Sequence, residues 1–67
     1  MPEARTELIH ELTRSTPLDW KMAERRVDYC RVYGLTLPQT RELILYCMQA
    51  GLPVGSVLDA MKRVRDA

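Results

Sequence analysis

Pro17, Gly34, Pro38, Gly51 and Pro53 cut this chain into short segments, none with room for more than about five helical turns. Between these breaks the apolar residues recur at helical spacing. Ala4, Leu8, Ile9 and Leu12 form a stripe over residues 3–14. Trp20, Ala23, Val27 and Cys30 share one face over 17–33, and Leu18, Met22, Tyr29 and Tyr33 share a second, with Arg26 between them. Helix-forming residues fill 37–50. Val54, Val57, Leu58, Met61 and Val64 make a narrow stripe over 53–65.

The stops have local causes. Thr16 is expected to cap the second helix, with Pro17 at its first position and Asp19 in its first turn. Thr36 and Gln39 fit a capping box for the third, with Pro38 in the first turn. Tyr29-Cys30-x-x-x-Gly34-Leu35 recurs as Tyr46-Cys47-x-x-x-Gly51-Leu52. The echo reads as one helix stop used twice. Glycine takes the left-handed position, and the following leucine folds back onto the cysteine and tyrosine a turn earlier. Both cysteines then have a packing role, as reduced buried thiols. The expected fold is all-α, a compact bundle of four short helices with tight helix-turn-helix corners. Residues 1–67 form one helical domain.

Sixty-seven residues hide only about 60% of the surface their unfolded chain exposes, so the core is thin and a partner or second subunit would add stability. Ten Lys and Arg against nine Asp and Glu leave a net charge of +1, which provides no global basic field for nucleic acid. The longest apolar run, Leu43 to Met48, is far too short to cross a bilayer, and the acidic start is unlike a signal peptide. A cytoplasmic location is expected, with no membrane partner.

Two cysteines outside CxxC spacing and one histidine do not make a metal framework. His10 has Glu7, Glu11 and Arg14 as helical neighbours and is expected to face solvent. No phosphate-cradling loop or nucleophile elbow is present, so the chain reads as a non-enzyme, with no cofactor and no small-molecule substrate. Arg25, Arg26 and Arg31 are expected to pair locally with Glu24 and Asp28.

Two functional readings follow. One small bundle cannot easily cover both apolar faces of the second helix, and Leu45 falls on the side of the third helix that carries Arg41 and Gln49. Tyr, Met and Arg are enriched at protein interfaces. Leu18, Met22, Arg26, Tyr29, Tyr33 and Leu45 are therefore the expected partner-binding residues of a small regulatory or adaptor module. It would act by protein–protein contact, with a protein partner, as a homodimer, or both.

The alternative rests on Cys47, Gly51, Leu52 and Val57. Placed on Leu43 to Lys62, these meet in order the small residue, turn glycine and two apolar locks of a DNA-binding helix-turn-helix, which this stretch resembles. The resemblance implies a DNA-binding regulator using residues 43–65. Arg41, Ser56, Lys62, Arg63 and Arg65 are its candidate nucleic-acid contacts. The start of the would-be reading helix, Pro53-Val54-Gly55-Ser56, lacks the Arg, Lys, Asn or Gln that direct base readout favours. The same three C-terminal cations also complement a helix dipole.

Overall fold

A computed structural model describes residues 3–67. It contains four helices and, among the described residues, no strand: α1 (Ala4–Ser15), α2 (Trp20–Val32), α3 (Leu37–Ala50) and α4 (Val54–Asp66). The all-α bundle expected from the punctuation is the observed fold.

The boundaries from Thr16 to Gly51 have local causes. The capping box of α3 is complete. Gln39 N–H donates to Thr36 Oγ1 at 3.3 Å, and Thr36 N–H donates to Gln39 Oε1 at 2.9 Å. The repeated stop is also real. Gly34 and Gly51 hold φ of 91° and 70°, and Leu35 and Leu52 donate their N–H to the Cys30 and Cys47 carbonyls at 3.2 and 2.9 Å. The two leucines then part company. Leu35 packs against the core, whereas Leu52 stays 44% exposed. A Cβ added at Gly51 would touch nothing within 4 Å. The cost of Gly51→Ala is therefore purely that of the left-handed backbone. We expect a loss of about 1 kcal/mol in urea unfolding. An unchanged midpoint would mean that the corner relaxes out of that conformation.

The start of α2 departs from expectation. Asp19, not Thr16, is the cap, accepting from Met22 N–H at 2.8 Å. Thr16 closes α1 instead. Its hydroxyl donates to the Leu12 carbonyl at 2.6 Å and accepts from Leu18 N–H at 3.2 Å. An aspartate caps at least as well as a threonine, so the helix begins three residues later. Leu18 then lies before the helix and tucks into the core at 5% exposure.

The core gathers Leu8, Ile9 and Leu12 of α1, Ala23, Val27 and Cys30 of α2, Ile44 and Cys47 of α3, and Val54 and Leu58 of α4 around Leu18. Trp20, expected on the inner face of α2, is 39% exposed. Its ring stands edge-on to His10, with centroids 4.8 Å apart. The helices are not equivalent. α1, α2 and α3 pack mutually, while α4 packs on α2 and α3 only. The result is a flattened molecule, 39 × 27 × 17 Å.

Glu24 and Asp28 do not pair along α2. Arg5 of α1 takes both. Its Nε and Nη2 donate to Asp28 Oδ1 and Oδ2 at 2.8 Å each, and Nη2 reaches Glu24 Oε2 at 3.2 Å. A fork-shaped guanidinium across the helix gap outcompetes flexible pairs on one helix. Arg41 does the same between α3 and α1, donating from Nε to both Glu11 oxygens at 2.9 and 2.8 Å. Hydrogen bonding to Arg5 holds the Asp28 carboxyl below the usual carboxylate range, and Arg41 does so for Glu11. A depressed folded pKa contributes stability above the unfolded value and loses it as pH falls through the folded one. The urea midpoint should therefore drop with acid from about pH 4 downward. Arg5→Gln should make that drop shallower. An equally steep acid loss in the variant would show that the pair adds nothing.

Candidate functional site

The predicted contact residues divide into those the fold uses and those it leaves outside. Leu18 belongs to the core, and half-buried Leu45 packs against it. Leu18 offers no apolar surface outward, which corrects the expectation for it, and Leu45 offers only part of its own. Tyr33 is half-buried and fastens α4 to α2. Its hydroxyl donates to Asp59 Oδ1 at 2.6 Å, and Arg65 Nη1 donates to the Tyr33 carbonyl at 3.4 Å. The Asp59 carboxylate raises the phenol pKa above its usual range, so Tyr33 stays protonated.

Met22 and Tyr29 remain open, at 43% and 44% exposure, with half-buried Arg26 between them. The Tyr29 ring lies 5.2 Å from that of Tyr33, and its edge runs beside Gly55, where an added Cβ would sit 3.9 Å away. Arg25, Arg26 and Tyr29 thereby form one wall of a shallow groove of about 290 Å³. Pro53, Val54 and Gly55 form the other.

Pro53 also begins a second surface. On the outer side of α4, Leu52, Pro53, Ser56, Val57, Ala60, Met61 and Val64 line an open groove of about 610 Å³. Ser56 is the sole polar residue in that lining. Met61 and Val64 are 46% and 78% exposed. Beyond Met61 the surface continues to Tyr46 of α3, 60% exposed. The band thus runs from Tyr29, flanked by Arg25 and Arg26, over Pro53 and down α4.

Sequence reasoning missed the α4 part of this band. It took Val57, Met61 and Val64 as one stripe with Val54 and Leu58, yet only the latter two are buried. Leu52, Pro53 and Ala60 were the available signal. They widen the apolar face of α4 past what one core contact needs.

The candidate nucleic-acid residues are scattered. Arg41 is held by Glu11 on the α1 side. Arg65 is engaged with Tyr33 and also lies 3.6 Å from Asp66. Lys62 borders a small cleft with Tyr33, Leu35 and Leu58. Ser56 sits in the apolar groove, and Arg63 is exposed. Lys62 and Arg65, about 60° apart around the helix, border the same small cleft, and Arg63 projects to a different side.

The titratable groups fit a structural role. Burial pushes the Cys30 thiol up to about 11 and raises Cys47 as well, so both stay protonated and unreactive at neutral pH. His10 is exposed, beside Glu7, Glu11 and Arg14 along a groove on α1. Among the described residues no three His, Cys, Asp or Glu side chains gather at one point. No described helix is long and apolar enough to cross a membrane.

Fold and surface together define an all-α bundle whose last helix is clasped on one side and bare on the other. No family model, no curated protein and no solved structure matches this chain.

Proposed function

We propose that this protein is a small regulatory or adaptor module that acts by protein–protein contact rather than by catalysis. The observation that carries this reading is the exposed apolar face of α4 from Pro53 to Met61 and Val64, which Pro53 joins to Tyr29 with Arg25 and Arg26 at its α2 edge. Apolar surface gains roughly 25 cal/mol per Å² when a partner removes it from water. Contiguous patches of this kind mark contact sites on small proteins, and aromatic, Met and Arg side chains supply their anchors. The band contains all three types.

The test is site-specific photo-crosslinking in the native host. A crosslinker replacing Tyr29 or Met61 should trap discrete protein adducts, and one replacing Arg14 on α1 should trap few. Equal yields at all three positions would remove the band as a contact surface.

A DNA-binding role is the second reading, supported by the left-handed glycine corner between α3 and α4. It is less favoured because Arg41 and Arg65 already have partners and the outer face of α4 is apolar. Titration with duplex DNA at two salt concentrations separates the readings. A protein neutralising several phosphates loses affinity steeply with salt. An absence of salt-dependent binding eliminates it.

A further inference from the structure

We propose that the α4 groove and the arginine groove beside it together take one short helical segment of a partner protein, apolar along one side and acidic at both ends. The inference rests on the protein-contact reading above and names the chemistry of the partner. Its first support is where the cations stand. The α4 groove is lined by apolar residues and Ser56, with no charged side chain. Pro53 closes it at one end and also belongs to the groove that Arg25 and Arg26 line. Arg63 stands at the other end. It follows Ser56 by seven residues, which sets it two turns further along α4 and only about 20° off the same line. Arginines thus bracket an uncharged apolar trough. Interfaces are built in this way, with charge excluded from the centre and held at the rim.

The second support is that these charges are not matched within the fold. The carboxylates of α2 and α4 are all engaged elsewhere. Glu24 and Asp28 are held by Arg5, Asp59 accepts from Tyr33, and Asp66 lies 3.6 Å from Arg65. Among the described residues none pairs with Arg25, Arg26 or Arg63. The complementary charge therefore comes from outside. A second copy would set arginine against arginine in either direction, so the occupant is an acidic chain. The third support is length. From Pro53 to Val64 the trough runs about 16 Å, the rise of roughly three helical turns. A helix with apolar residues at i, i+3 or i+4, and i+7 covers that distance. Carboxylates in its flanking turns then meet the arginine forks at each end.

The test selects phage-displayed random peptides, about sixteen residues long so as to span the trough as a helix, on the full chain. Enriched sequences should carry apolar residues at helical spacing with Asp or Glu on both sides of them. The best of these, made synthetically, is then titrated by fluorescence anisotropy. Val64→Asp should raise its Kd about tenfold, because a carboxylate enters the apolar trough. Arg25→Glu and Arg63→Glu should each raise it about fivefold, and added salt should weaken binding to the wild-type chain. The same peptide with its acids changed to lysine should prefer the doubly reversed protein. Arg14→Glu makes the same charge change on α1, which does not pack on α4, and should bind as wild type does. All four sites are exposed, so helical circular dichroism should be unchanged.

Enrichment of neutral or basic peptides, or none, overturns the acidic partner. So does a selected peptide that ignores both arginine reversals, or one that Arg14→Glu weakens equally. The protein-contact reading survives any of these if Tyr29 and Met61 crosslinkers still trap discrete adducts. A chain that selects no peptide but binds phosphatidylserine vesicles, and loses them on Val64→Asp, overturns the proposal in favour of a membrane surface.

Discussion

Ile44→Ala should bring the protein to the edge of unfolding at 25 °C. Ile44 is completely buried on the inner face of α3, between Thr40 and Cys47, where the three-helix core is closed. Truncating a buried isoleucine to alanine costs about 2–5 kcal/mol, as lost transfer free energy plus the cavity left behind. A 67-residue domain holds only about 3–10 kcal/mol in total, at the usual 0.05–0.15 kcal/mol per residue. The loss is therefore a large fraction of the whole. Urea unfolding followed by circular dichroism should show a midpoint displaced close to zero denaturant. Ile44→Val, which removes a single methylene, should cost about 0.5–1.5 kcal/mol and keep a cooperative transition. If Ile44→Ala unfolds within about 0.5 kcal/mol of wild type, the site collapses freely and the α3 face is not tightly packed.

One turn earlier the sign reverses. Thr40 is also fully buried, and its hydroxyl has no hydrogen-bond partner among the described protein atoms. A donor in that position bears a desolvation penalty of about 1–3 kcal/mol with nothing to offset it. Thr40→Val keeps the shape and the β-branch and deletes the unpaired group, while helix propensity hardly changes. Stability should rise by about 1–2 kcal/mol, lifting the melting temperature by roughly 5–10 °C in a domain this small. Thr40→Ser retains the hydroxyl, loses a methyl and should melt below wild type. A valine variant no more stable than the parent would show that the hydroxyl bonds back to the Thr36 carbonyl. The two sites adjoin on one helix face, so their effects should not simply add.

The fold was legible because its boundaries are short-range. A glycine that relieves a left-handed strain, or a Thr36–Gln39 box that satisfies two amide donors, acts within five residues. Both can be read one segment at a time. The start of α2 was the exception. Thr16 and Asp19 are both competent caps, and the choice between them moved Leu18 from an expected contact stripe into the core.

Contacts across helices were not legible in the same way. The α2 carboxylates had same-helix cations in view, yet Arg5 took them, because its position relative to Asp28 exists only once α1 lies against α2. Tyr33 read as an interface residue for the same reason. Its partner Asp59 lies 26 residues away.

Sequence determined that four helices form, where they stop, and that the apolar surface outside the first core contact includes Met22 and Tyr29. Tertiary structure alone decided which apolar face was covered. Periodicity shows that a helix has a greasy side, but coverage depends on how many neighbours the loops bring to it. α4 receives α2 and α3 but not α1. Val54 and Leu58 are sealed, and Met61 and Val64 are left facing water.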